Sequence, residues 1–307
     1  MTRKIRFLIL LCALTVFSSA YALDTAVQYK TVKSILSIPE SELNLLAVKL
    51  TIDRLIDPNV NNSAAAIMID GMTESLKASL PPDATRQQKL DALRQFIYQP
   101  GPWNQNWPFS YDHLRDPYGR NINNKLLATY LQTRKGNCVS MPILFLLLGE
   151  RIGLDLTLAL APQHVLVKYR DDTGTYHNIE TTSGGGFARD VWVRQQMPMS
   201  DRAIQNGIYM RPLSKRQVAI VMMDLLNEHY SQLGLDQERI ALAELLKQHD
   251  PTYINATLHI ASASQRLWHL HSNQPQSLQT TYHYLEKEQR AKYQAMALVW
   301  QMGPQTP

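Results

Sequence analysis

The chain has 307 residues, 45% of them apolar, with 31 Lys and Arg against 26 Asp and Glu, enough to bury a sizeable core in one large domain or in one domain with an appendage. Three cations, Arg3, Lys4 and Arg6, fall within the first 22 positions beside no acidic residue, so the remaining 28 basic and 26 acidic residues leave a net charge near +2. No basic stripe interleaved with aromatics accompanies that small excess, which excludes a nucleic-acid footprint.

Those cations, the apolar run from Phe7 to Phe17 and the small-x-small triplet Ala20-Tyr21-Ala22 are the parts of a cleavable secretory signal in order, predicted over residues 1–22. The run is too short to span a bilayer and nothing later approaches a span, so the mature protein is expected to be soluble and either periplasmic or secreted. Cys12 lies inside the run, which leaves Cys138 as the one mature cysteine. In an oxidising compartment such a thiol needs a reason, either a bridge to another chain or chemistry.

From Leu23 to about Pro100 the pattern is helical. Ser37 to Leu43 predicts a capped start for a helix running through Leu55 and stopped by Pro58. Asn61-Asn62-Ser63 opens a second helix ending near Leu80, and Thr85 to Tyr98 carries Leu90, Leu93, Phe96 and Ile97 on one stripe. Gly101 to Arg120 then gathers Trp103, Trp107, Phe109, Tyr111 and Tyr118 among Pro and Asn, the composition of a packed cover or of a cleft wall. Trp103 and Tyr111 are its cleft candidates.

Asn123-Asn124 predicts the cap of a helix over Lys125 to Gln132, which leads into Gly136-Asn137-Cys138 and a long apolar run closed by Gly153. That places a thiol at the first turn of a buried helix, where free backbone N–H groups and the dipole favour the thiolate. After Gly153 the period changes to two. Leu156 to Ala161 and His164 to Tyr169 read as strands, Asp171 to Gly174 as a hairpin turn, and Thr175 to Thr181 as the returning strand. The hairpin brings His164 to within about two positions of Glu180, with the register left open. Thiol, imidazole and carboxylate are a nucleophile, its base and the anion that orients the base. His177 is a rival base, disfavoured because strand alternation turns it to the face opposite Glu180.

The run Asn124 to Gly186 resembles the transglutaminase-like superfamily, papain-like Cys-His-Asp enzymes, and is most similar to a bacterial branch with C-terminal tetratricopeptide-like helices. Asn124, Leu127, Leu131, Arg134 and Gly136 carry the resemblance, with Cys138, Ser140, the helix to Gly153, Pro162 before His164, and Glu180 before Gly184-Gly185-Gly186. It implies an α+β core, a Cys-bearing helix packed on an antiparallel sheet. It also implies that Cys138 is the nucleophile, His164 the base and Glu180 the carboxylate, one methylene longer than the superfamily's usual Asp. The oxyanion hole would join the Cys138 N–H to a side-chain donor drawn from Asn124, Gln163 or Trp107.

Ala188 to Arg211 reads as irregular, with Val191, Trp192 and Val193 closing the core. From Ser214 the chain is helical again: Val218 to Leu233, Asp236 to His249, Ile254 to His271 and Ser277 to Gln301. Tyr230, Gly234, Ala241 and Pro251 are spaced as in one or two degenerate tetratricopeptide units, expected to pack on the core. His259, His269, His271 and His283 match no usual metal spacing and read as surface or interface residues. The expected organisation is thus a signal over 1–22, a transglutaminase-like domain over 23–212 with its core at 121–195, and a helical tetratricopeptide-like region over 213–307. The expected activity is thiol attack on an amide or peptide bond, without cofactor or metal, giving a thioester resolved by water or by an amine. The substrate is a protein or peptide, including cell-envelope ones, and the C-terminal helices are a surface for a protein partner. The alternatives are a non-catalytic peptide- or envelope-binding module on the same fold, and a redox role in which Cys138 bridges to another chain.

Overall fold

The computed structural model of the chain describes residues 25–272 and 278–299. The predicted signal segment, 1–22, lies outside the described residues. The chain divides into two units, Met1–Glu42 and Leu43–Pro307. Of the first, the described part is a helix, α1, over 25–36 and a 3-10 turn, Glu40–Glu42.

In the second unit, α2 (Leu45–Ile56) starts at Asn44, whose side chain accepts from the Ala47 N–H at 3.0 Å. The helix therefore begins later than the predicted start near Ser37, because the side chain satisfying its first N–H groups is an asparagine seven residues on. Helices α3 (Asn62–Ala78) and α4 (Arg86–Tyr98) begin at Asn61 and Thr85, the latter with a capping box closed by Gln88. The aromatic loop follows and contributes a two-residue strand, β1 (Ser110–Tyr111), that pairs in parallel with β2 (Lys135–Gly136). Between them the predicted single helix divides into a 3-10 turn, Ile122–Lys125, and α5 (Leu127–Thr133).

Helix α6 (Ser140–Arg151) is the centre of the fold, with Ile143 to Leu148 each fully buried. It packs on the first two strands of an antiparallel sheet, β3 (Leu156–Ala161), β4 (His164–Arg170), β5 (Tyr176–Glu180) and β6 (Gly186–Ala188), in that spatial order. Gly149 permits the close approach: a Cβ there would lie 2.2 Å from a Leu156 methyl carbon. At about 1.5–3 kcal/mol per fully buried large apolar side chain, this helix is a major source of stability.

Gly184 and Gly185, both at positive φ, reverse the chain so that Gly186 opens β6 on the β5 edge. One segment differs from its sequence reading. The stretch expected to be irregular holds α7 (Asp190–Gln196) and α8 (Asp201–Gln205); Val193 is buried there, while Val191 and Trp192 face solvent. Helices α9 (Lys215–Met223), α10 (Leu225–Leu233), α11 (Asp236–His249), α12 (Ile254–Ser272) and α13 (Leu278–Val299) follow. α9 packs on α2 and β3, α10 on the 3-10 turn Ile122–Lys125, and α11, α12 and α13 successively on one another. A small antiparallel sheet flanked by helices, with the cysteine leading into the central one, is the α+β arrangement expected of a transglutaminase-like core.

Candidate active site

Cys138 lies in the tight turn between β2 and α6, two residues before the helix begins at Ser140 rather than within its first turn. The turn is fastened from both sides. Asn137 Oδ1 accepts the N–H groups of Val139 at 3.1 Å and Ser140 at 3.4 Å, and Ser140 Oγ accepts the Asn137 N–H at 3.1 Å while donating to the Asn124 carbonyl at 2.6 Å.

His164 is the first residue of β4, reached from β3 through Pro162 and Gln163, with Ala161 and His164 paired across the turn. Proline first and a positive φ of 56° at Gln163 fit a type II turn. The turn brings the Gln163 carbonyl to 3.9 Å from Cys138 Sγ. On the other side of β4, Val167 pairs with Ile179. Continuing that register sets Glu180 across from Leu166, two residues from His164 and so on the same face.

The His164 ring meets Glu180 Oε2 through Nε2 at 2.8 Å, which leaves Nδ1 as the ring nitrogen open to the nearby Cys138 side chain. Glu180 Oε1 accepts the Thr182 N–H at 2.9 Å and its hydroxyl at 2.6 Å, so both carboxylate oxygens are engaged. Burial disfavours a charged His164 ring, but the hydrogen bonds to Cys138 and Glu180 and their negative charges outweigh it and raise its pKa to about 9. For Glu180 burial likewise disfavours charge, and the hydrogen bonds of His164 and Thr182 overcome it, holding the carboxyl below its usual range.

Tyr111 stands beside the sulfur through Gly119, whose positive φ keeps that position bare; a Cβ there would lie 3.3 Å from the Tyr111 hydroxyl and 3.6 Å from Cys138 Sγ. Burial, followed by the charges of Cys138, Asp116 and Asp112, raises the Tyr111 pKa to about 12, so it remains a protonated donor. The other loop candidates lie elsewhere. Trp103 folds over Gly101, and Trp107 lies against the Arg134 guanidinium with its carbonyl accepting from that side chain. Neither lines the cavity, nor does Tyr111 itself; Tyr118, Gly119 and Arg120 are the residues of this loop that do. The Asn124 amide spends its N–H groups on Asp112 Oδ2 at 3.1 Å and Asp116 Oδ2 at 3.2 Å, away from an oxyanion. Gln163 does line the cleft. His177 pairs instead with Asp171 at the hairpin turn, Nε2 to Oδ2 at 2.7 Å.

Cys138 and His164 open into a cavity of about 860 Å³ lined on their side by Tyr118 to Arg120 and the β3–β4 turn, and on the other by the C-terminal helices. Lys125 from the core forms an ion pair with Glu228 of α10. Deeper in the wall, Asp224 accepts from Tyr253 Oη at 2.8 Å, Asn227 Nδ2 at 2.9 Å and His259 Nε2 at 3.3 Å, and His259 Nδ1 accepts from Arg239 Nε at 2.9 Å. His259, read as a surface or interface residue, is set into this wall with its side chain 13% exposed.

The sequence model of a protein family described as the Transglutaminase-like superfamily matches residues 63–223, just over half of the chain and a span that contains Cys138, His164 and Glu180. No curated protein matches the chain.

Proposed function

We propose, on the premise that the chain belongs to the transglutaminase-like superfamily, that it is an exported cysteine enzyme that opens amide or peptide bonds through a Cys138 thioester. One observation carries this reading: the His164 ring is held by buried Glu180 at 2.8 Å, and His164 and Cys138 line the same cavity. Export rests on the order of cations, apolar run and small residues at 1–22.

In this mechanism the Cys138 thiol gives its proton to His164 Nδ1, and the thiolate adds to the substrate carbonyl carbon. As the tetrahedral oxyanion collapses, the C–S bond remains, the C–N bond breaks, and His164 returns the proton to the leaving amine. Water or a second amine then gives a proton to His164 and displaces sulfur, which recovers its proton as the thiol. Water yields a peptidase or amidase; an amine yields a transglutaminase. Glu180 holds Nε2–H so that Nδ1 faces sulfur. The C-terminal helices supply the facing cleft wall and, in this reading, a surface for a protein partner.

The test is acylation of Cys138 by p-nitrophenyl acetate, followed by mass spectrometry, with methylamine as a competing acceptor. Wild type is expected to acetylate at Cys138 and turn over, and Cys138→Ala to lose that turnover; transfer of acetyl to methylamine would identify amine resolution. Equal ester consumption by the two proteins, with Cys138 unmodified, would favour a binding module over an enzyme.

A further inference from the structure

In the turn that carries the thiol, every backbone N–H but one is occupied. Those of Asn137, Val139 and Ser140 go to Ser140 Oγ and Asn137 Oδ1, and that of Met141 goes to the Asn137 carbonyl at 3.1 Å. Among the described residues, no acceptor is found for the Cys138 N–H. The selectivity comes from one fully buried side chain, Asn137, whose Oδ1 takes both N–H groups that follow the cysteine.

Asn137 is in turn held from outside the turn. Its Nδ2 donates to Asp116 Oδ2 at 3.3 Å. Asp116, 4% exposed, also accepts Asn124 Nδ2 at 3.2 Å through that oxygen and the N–H groups of Arg120 at 2.6 Å and Asn121 at 3.0 Å through Oδ1. One carboxylate therefore fixes both the amide that arranges the cysteine turn and the backbone that lays Gly119 against the sulfur. A neutral acceptor could hold either group; a buried carboxylate with four donors makes the arrangement rigid.

We infer that Asp116 and Asn137 are positioning residues that keep the Cys138 N–H unengaged and aimed at the oxyanion formed in acyl transfer. The inference rests on Cys138 being the nucleophile. An oxyanion donor lowers the barrier only if it already points where charge develops, and losing one such donor costs about 10²–10³ in rate.

The experiment compares two reactions of the same sulfur. Alkylation by iodoacetamide is a displacement at carbon that forms no oxyanion, whereas acylation by p-nitrophenyl acetate forms one. In Asp116→Asn the acceptor facing Asn137 Nδ2 becomes a second donor; acylation is expected to fall about 10- to 100-fold with alkylation within about threefold of wild type. The exchange Asp116→Asn with Asn137→Asp restores a donor facing an acceptor and is expected to recover at least about tenfold in acylation. Parallel loss of both reactions, or unchanged acylation, would overturn the inference. Amide exchange in the unmodified protein tests it without a variant: the Cys138 N–H is expected to exchange at least about tenfold faster than those of Asn137, Val139 and Ser140, and equal protection would overturn it. If wild type undergoes neither reaction, the nucleophile assignment itself has failed, and the inference with it.

Discussion

Two largely buried histidine–carboxylate pairs stand at one cleft, lined by His164, His259 and Asp224: His164 with Glu180 in the core and His259 with Asp224 among the C-terminal helices. Each uses Nε2 toward its carboxylate, and each carboxylate is further held by hydroxyl or amide donors. They differ at Nδ1. That of His164 is open to the nearby Cys138 side chain, and that of His259 accepts from Arg239, which can only donate. A lone pair occupied by a guanidinium is unavailable to take a proton from a substrate, so the second pair braces the wall, whereas the first keeps the ring nitrogen that the proposed base needs. The partner on the far ring nitrogen, rather than the carboxylate, separates the two histidines.

The largest effect that would break this contrast is expected from His164→Gln, which removes the base and should lower ester acylation of Cys138 by at least about 10²-fold. His259→Ala is its counterpart. It is expected to leave iodoacetamide alkylation of Cys138 within about threefold while lowering stability in urea by about 1–3 kcal/mol, because buried Asp224 loses a donor. A comparable fall in alkylation in both variants would erase the distinction.

Glu180→Gln sharpens it at smaller amplitude, and the signature is in pH. The His164 pKa is raised, so the stabilisation it contributes is complete below about 6.5 and lost as pH rises through about 9. The Glu180 carboxyl is held low, so its contribution is complete above about 4.5 and lost as pH falls through its lowered value. Urea unfolding of wild type should thus show the pair contributing most between about pH 4.5 and 6.5. Glu180→Gln should flatten both flanks; an unchanged profile would remove the ionic linkage. The smallest effect is expected from His177→Ala, at the far end of the same hairpin, where alkylation should stay within about twofold of wild type.

The core of the site was legible because it is nearly continuous in the chain. A glycine turn, an apolar helix and a hairpin fix Cys138, His164 and Glu180 within 43 positions, and the hairpin alone sets the two-residue offset between base and carboxylate. Asn137 and Asp116 carried a weaker signal, an asparagine directly before the cysteine and an Asp-Pro turn, whose meaning depends on the helix start they hold. The facing wall carried no local signal. His259 is a lone histidine on a helix until folding brings it to Asp224, 35 residues away. The pair β1 and β2, two residues each, is too short for any period to register.

The most direct measurement is an NMR titration of the His164 ring in wild type and in Cys138→Ala. A thiol and a carboxylate acting together on the imidazole should place its midpoint near 9 in wild type and lower it by more than about one unit once the sulfur is gone. A wild-type midpoint at or below 6.5 would mean that burial governs the ring, and would contradict the joint action of Cys138 and Glu180 on it.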